Sequence, residues 1–205
     1  IKDLLEEKNP DHPFLKIVGA PIKKDKVPLP FPMASLDKIK PNTDILDNWK
    51  KEYIGPYSLS DKLDGVSALL YMHGTRLKMY TRGDGMKGQD ISYLIPYVIK
   101  SHKIPKNTAV RGELIISKKN FETIKDKMAN GRNAVAGLVN SKTVRKYIAN
   151  ITEFVAYSIV YPRFKHHDQM KKIKLFGLTV VNNKLCKDIT NNKLSELLIK
   201  RRKES

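Results

Sequence analysis

The sequence predicts an α+β domain built on antiparallel sheet, and three observations carry that reading. The strand-like runs are short, and the run at 76–81 alternates in period two. Tight turns join them. Helical segments are interspersed rather than regularly alternating with strands, which argues against a doubly wound parallel sheet. A hydrophobic fraction of 40% over 205 residues suffices for one packed core.

Residues 2–8 (KDLLEEK) read as the last turns of a helix, stopped by Asn9-Pro10. Six prolines between positions 10 and 32 forbid long helix and predict an extended linker or wrapping segment. The domain division is therefore 1–31, a helix end plus linker, and 32–205, the main domain. Residues 44–53 predict a helix with Asp44 as N-cap, broken by Gly55-Pro56. Runs at 57–62, 66–72 and 76–81 are expected to be antiparallel neighbours, with a turn at His73-Gly74. A glycine-rich loop covers 83–88. A helix follows within 89–100, limited by Pro96. A strand is expected at 108–117, then a helix at 118–129 with Ser117 as N-cap and Phe121, Ile124 and Met128 on one face. Residues 141–148 read as helix, 153–160 as strand and 162–172 as a basic loop. An alternating tail runs to 185, and a last helix spans 193–202.

Composition narrows the partners. Thirty-nine Lys and Arg against 21 Asp and Glu give a net charge of +18. Such a field concentrates polyanions, so nucleic acid is the first partner expected; an anionic membrane or plain solubility is the alternative. One Cys excludes a disulfide framework and any metal cage with two thiolates. No apolar run approaches the roughly 18–20 residues that span a bilayer, and no signal-peptide pattern opens the chain, so a soluble intracellular protein is expected. The first residue is Ile, which suggests a missing N-terminal portion.

Four strings carry chemistry. KLDG at 62–65 places Lys62 where it would face a cleft. A lysine amine becomes a nucleophile when burial or a second cation lowers its pKa. Asp64, two residues on, would share a strand face with it and orient or deprotonate it; an exposed Lys-Asp pair before a turn is the alternative. TRGDGMKGQD at 81–90 offers backbone N–H groups and the Arg82 guanidinium, which suits a phosphate; an ordinary hairpin loop is the alternative. In RGEL at 111–114, Glu113 would accept hydrogen bonds from ribose hydroxyls or form a surface ion pair. In MANGRNAVAG at 128–137, small residues let Arg132 project, unless this is a plain interhelical loop. Three of the eight arginines fall in these strings, which points to planar anion contacts that Lys does not reproduce.

In this order the four strings resemble the adenylation domain of NAD+-dependent DNA ligases, whose corresponding strings read KxDG, TRGDGxxGED, VRGEL and ANPRNAAAG. PMASLD at 32–37 resembles that family's PMLSLDN, and VGA at 18–20 the segment leading into it. The similarity runs from about residue 2 to 180. KxDG is shared with ATP-dependent ligases and capping enzymes, whereas the longer strings are particular to the NAD+ type. The resemblance implies an antiparallel-sheet nucleotidyltransferase core, like that of DNA ligases and mRNA capping enzymes, incomplete at its C-terminus.

The resemblance also implies roles. Lys62 would attack the α-phosphorus of NAD+, forming lysyl-AMP, before AMP passes to a 5′-phosphate and the nick is sealed. Asp64 would be the essential acidic residue. Ser35, Leu36, Ser60 and Tyr157 would line the nucleotide pocket, and Glu113 would bind the AMP ribose. Arg82 and Arg132 would contact phosphate of nucleotide or nicked DNA. Mg2+ is implied, held by phosphate oxygens and water with no assigned protein ligand. The chain departs from the family at Ser60, where many members have Glu, and at Asn140, where the family has a second Arg. No DGVVIK-like or YKFP-like string follows residue 160, and no OB-fold, four-Cys or helix-hairpin-helix region fits. A fragment or one half of a split enzyme is therefore expected, poor alone at the first step, with a second chain or C-terminal region supplying the rest. An ATP-dependent enzyme of the same core, or a non-catalytic basic nucleic-acid-binding fragment, are the alternatives.

Overall fold

Alternation along the central strands divides their side chains between two faces, and both faces are covered. The computed structural model describes residues 26–40 and 43–204, so the expected helix at 2–8, the VGA string and most of the proline-rich segment lie outside the described residues. In chain order the elements are β1 (Val27–Pro28), α1 (Ile45–Glu52), β2 (Tyr57–Ser60), β3 (Val66–His73), β4 (Arg76–Thr81) and β5 (Lys87–Gly88). After a single 3-10 turn come α2 (Ile95–Val98), β6 (Thr108–Ile115), α3 (Lys118–Phe121), α4 (Gly131–Asn140), α5 (Lys146–Ala149), β7 (Glu153–Tyr161), α6 (His166–Leu175), β8 (Thr179–Val180), β9 (Asn183–Cys186) and α7 (Asn191–Glu204).

The main sheet has five strands in the order β4-β3-β6-β7-β8. All its pairings are antiparallel except the short one between β7 and β8. On one face Ala68, Leu70, Met72, Met79, Val110 and Leu114 enter the principal core, beneath Ala134, Val135 and Leu138 of α4 and Met170 and Ile173 of α6. On the other face Leu69 and Ala109 form a smaller cluster with Met33, packed by Leu29, Phe31 and Tyr71.

That second cluster explains the prolines. Leu29, Phe31 and Met33 alternate with Pro28, Pro30 and Pro32, so apolar side chains reach the sheet from an extended strap. Two of the strap's N–H groups find partners: Leu29 donates to the Met86 carbonyl and Met33 to the Gly85 carbonyl, both at 2.8 Å. The strap thus covers one half of the face and leaves the end bearing Ser67, Arg111 and Glu113 uncapped by it.

Several expectations need correction. The 57–62 run does not neighbour 66–72; β2 pairs with β9, because the 61–65 loop carries the chain out of one sheet and into the other. Within 89–100 only a 3-10 turn and α2 form, and Pro96 lies at the start of α2. Ser117 does cap α3, accepting from Asn120 N, but that helix lasts one turn. Asp44 sits at the N-cap position of α1, yet its side chain makes no capping bond. The expected helix at 141–148 shrinks to α5. The real helix precedes it as α4, capped by the Asn130 side chain, which accepts from Asn133 N at 2.8 Å. Two glycines hide α4 from propensity, but Ala134, Val135, Leu138 and Val139 give it a buried face that outweighs them. Residues 162–172 are not a loop: α6 begins at His166, and its lysines mask a buried stripe of Gln169, Met170 and Ile173. Gln169 is satisfied there, accepting from Ile159 N at 2.7 Å and donating to the Phe164 carbonyl at 2.9 Å.

Candidate functional site

The loop carrying Lys62 is fastened at both ends. At its far end Gly65 presses against β6: a Cβ there would stand 2.1 Å from the Leu114 carbonyl oxygen, so only glycine fits without moving the strands. At its near end Asp61 donates its N–H to the Asn182 carbonyl at 3.1 Å. The Asp61 carboxylate accepts from Arg201 of α7, with Nε 3.0 Å from Oδ1 and Nη2 on Oδ2. That guanidinium, ahead of a smaller contribution from Asn182, holds the Asp61 carboxyl below the usual range, against the opposing effect of its burial.

Between these anchors Lys62 and Asp64 are exposed. They do not share a strand face, because 61–65 lies between β2 and β3. Asp64 is paired instead with Arg132 at the first turn of α4, 2.9 Å from Nη1. Exposure also removes burial as the means of activating Lys62; what surrounds it is other charge.

The focus of that charge is Glu113. It faces away from the principal core on β6, directly opposite Ser67 of β3, whose hydroxyl donates to Oε2 at 2.8 Å. Only 8% exposed, Glu113 has its carboxyl pushed above the ordinary range by burial, while Ser67 and the charges of Lys62, Arg132 and Arg111 pull the other way. Two residues before it on the same face, Arg111 donates through Nε to the Tyr157 hydroxyl at 2.9 Å and lies 5.7 Å from the centre of that ring. The charges of Lys62, Arg132 and Arg111 thus all act on one buried carboxylate, while Arg132 is paired with Asp64 and Arg111 with Tyr157.

The glycine-rich loop differs from its expectation. Its N–H groups do not form an open phosphate cradle. Asp84 Oδ1 accepts from Met86 N at 2.9 Å and Lys87 N at 2.7 Å, while Gly85 N donates to the Arg82 carbonyl and Asp84 N to that of Lys87. Those two N–H groups hold the Asp84 carboxyl below its usual range, Lys87 contributing most. The loop is a self-satisfied turn, with Gly83 at φ +54°, and its offering to an anion is the Arg82 side chain. Arg82 lies beside the cluster: its N–H donates to the Ser67 carbonyl at 3.0 Å, and Nη1 is 3.4 Å from Ser35 Oγ on the strap. Of the expected site residues, the fold thus gathers Lys62, Asp64, Arg132, Glu113, Tyr157, Arg82 and Ser35. Leu36 and Ser60 are exposed, and no hydrogen bond of the Ser60 hydroxyl joins the group among the described residues.

Sequence reasoning missed Ser67, Arg201 and the use of Arg111. Arg111 was legible, since strand period places it on the same face as Glu113. Ser67 and Arg201 were not, because their partners are 46 and 140 residues away. On the principal-core side of the glycine loop, a cleft of about 300 Å3 is lined by Lys26, Thr81, Gln89 and Asn140. Gln89 stands where the TRGDGxxGED string has Glu, and Asn140 where a second Arg was expected; the two touch, Gln89 Nε2 to Asn140 Oδ1 at 3.4 Å. An amide pair occupying both positions keeps that contact without charge. Among the described residues no group of three His, Cys, Asp or Glu side chains is placed to hold a metal, and no helix is long and apolar enough to cross a membrane.

Comparison with known proteins shows the family to which the chain is similar. The family model described as the NAD-dependent DNA ligase adenylation domain matches residues 24–204. The DNA ligase of Acanthamoeba polyphaga mimivirus is 43% identical over 211 residues, covering 100% of this chain and 33% of that protein. The DNA ligase of Pelagibacter ubique (strain HTCC1062) is 32% identical over 206 residues, covering 86% of this chain and 30% of the relative. That of Halothermothrix orenii is 31% identical, covering 91% and 32% respectively. The chain spans about a third of the length of these relatives.

Proposed function

Since the chain belongs to the NAD-dependent DNA ligase adenylation-domain family, we propose that it forms the lysyl-AMP intermediate of an NAD+-dependent DNA ligase, with Lys62 as the nucleophile. The Lys62 amine attacks the α-phosphorus of NAD+. A phosphoramidate N–P bond forms, the bond to nicotinamide mononucleotide breaks, and the amine loses a proton. AMP then passes to the 5′-phosphate at a nick, and attack by the 3′-hydroxyl releases it and joins the strand.

The chain's own residues supply binding and charge. Glu113 accepts from the ribose hydroxyls, a use that suits a carboxylate whose Oε2 is already oriented by Ser67. Arg132 meets phosphate, and Asp64 acts by holding its guanidinium rather than as a base toward Lys62. Arg82, steadied by Ser35, meets phosphate from the loop side. Arg111 and Tyr157 support the cluster from β6 and β7. Ser35, Leu36 and Ser60 border the nucleotide. Mg2+ would be carried by phosphate oxygens and water, neutralising charge on the transferring group. Nicked duplex DNA is the macromolecular substrate, in keeping with the +18 charge. The remaining motifs would come from further chain or a second subunit, and residues 32–205, together with the strap that packs on their sheet, form part of the adenylation domain.

The observation that carries this reading is geometric: Glu113, buried on β6 and held by the Ser67 hydroxyl, shares its face with Arg111 and lies against the 61–65 loop, whose Asp64 pairs with Arg132. A sequestered carboxylate with cations around it suits a ligand that carries both phosphate and hydroxyls. The test is labelling of the intact protein with NAD+ or ATP carrying radiolabel in the adenylate. Label from NAD+ that disappears in Lys62→Ala supports the reading. Label from ATP alone would favour an ATP-dependent enzyme of the same core, and no label from either a non-catalytic nucleic-acid-binding module.

A further inference from the structure

A second cleft lies at the opposite end of the main sheet. It opens between Thr108, where β6 begins, and Tyr161, where β7 ends, and it has a volume of about 430 Å3. At the usual strand rise, Thr108 is roughly 17 Å along β6 from Glu113. The cleft also borders α6, which packs on the principal core and so on the face away from Lys62.

Its walls combine rings and cations. Phe164 and Phe176 line it, together with Lys106 and Lys172, and Tyr161 stands at its rim with its ring stacked on Phe31, 5.5 Å between centres. Lys172 Nζ lies 4.4 Å from the centre of the Phe164 ring. A hydrogen bond of 2.7 Å from Lys103 N to the Phe176 carbonyl ties the 100–107 loop to the end of α6, so the two sides are held together. The surrounding charge is lopsided even for this chain. Residues 100–107 and 161–176 hold eight Lys and Arg against one acidic residue, Asp168, where the whole chain has 39 against 21. Asp168 is itself 3.1 Å from His167.

We propose that this cleft binds single-stranded nucleic acid, one base entering between the aromatic side chains while Lys106 and Lys172 meet the flanking phosphates. Aromatic faces give a base a stacking partner only when it is not already stacked in a duplex, and lysines beside such faces track the backbone. The volume suits a group of nucleotide size. An acidic polypeptide would satisfy the lysines and leave the aromatic walls without a partner. The proposal does not depend on the role assigned to Lys62.

The test uses the full chain, a fluorescent oligo-dT and a salt series. Replacing Lys106 and Lys172 together by Gln removes two phosphate contacts. For single strands this lowers the slope of log affinity against log salt by about 1.4, a loss of roughly ten- to thirtyfold at 0.1 M salt. Lys106 is exposed and Lys172 half-buried against Phe164, and an unchanged thermal midpoint would establish that the double variant is folded. Photocrosslinking with 5-iodouracil in the same oligonucleotide is expected at Phe164 or Phe176, and unaltered in Arg132→Ala. An unchanged slope, or crosslinks confined to the Lys62 end, would overturn the proposal. So would an equal loss of affinity for duplex of the same length, which would show plain phosphate contact, or competition by polyglutamate as strong as by oligo-dT, which would indicate an acidic protein partner.

Discussion

Replacing Gly65 by Ala probes the link between sheet packing and chemistry at one atom. The added Cβ would lie 2.1 Å from the Leu114 carbonyl oxygen, 2.8 Å from Ile115 Cγ2 and 3.0 Å from Glu113 Cγ. Ordinary carbon contacts begin near 3.5 Å, so the start of β3 must retreat from β6 by roughly 1–1.5 Å. A backbone oxygen cannot swing aside as a side chain does. Overpacking of this kind costs about 2–4 kcal/mol. The same retreat carries Lys62, three residues upstream, and loosens the Ser67–Glu113 bond across the strand pair. A misplacement of about 1 Å in a reacting group lowers rate roughly a hundredfold. Denaturant unfolding reads the first effect. The rate of adenylate formation from NAD+ in the intact protein, at a temperature where circular dichroism shows the variant folded, reads the second. A variant with stability within about 0.5 kcal/mol of the parent and an unchanged adenylation rate would refute the reasoning.

Four further outcomes are expected. Glu113→Gln should raise the thermal midpoint near neutral pH while adenylation falls. Burial raises the folded carboxyl's pKa, so ionisation works against folding as pH rises past the unfolded value; the advantage of Gln should shrink as pH falls through the ordinary carboxylate range and vanish below it, where Glu113 is protonated in both states. Arg132→Ala should leave stability within about 0.5 kcal/mol, because its pair with Asp64 is well exposed, yet should slow nick joining tenfold or more in a gel assay. Asp61→Asn should cost about 1 kcal/mol at pH 7. The Asp61 pKa is lowered by Arg201, so its contribution is present above the unfolded carboxylate value and is lost as pH falls through the folded one; parent and variant unfolding curves should converge in acid. Binding of nicked duplex should weaken steeply with salt, and an affinity flat from low to physiological salt would remove the basic surface as its footprint.

What could be read from the sequence was what local pattern encodes. Short strand-like runs located β3, β4, β6 and β7 within a residue or two, with period-two alternation plain in β4, because each has one face in the core and a single register keeps it there. The four strings were legible for a related reason: each concentrates glycine, Arg or Glu where backbone and charge must satisfy narrow geometry. The failures are nonlocal. The partner of β2 is β9, more than a hundred residues away, and no local pattern distinguishes it from the nearer β3. Helix α4 contains two glycines and is held by burial of Ala134, Val135 and Leu138. In α6 the lysines dominate the composition, while a buried Gln169 satisfied by Ile159 N and the Phe164 carbonyl belongs to the core. Within the site, Asp64 was tied by proximity in sequence to Lys62, but the loop geometry gives it to Arg132.

The central claim is that one lysine in the 61–65 loop becomes covalently adenylated. The direct measurement is tandem mass spectrometry of peptides from the intact protein after brief exposure to NAD+. The account predicts an adenylate adduct on the peptide containing Lys62, absent in Lys62→Arg. An adduct localised to a different lysine, or one that persists unchanged in that variant, would contradict it.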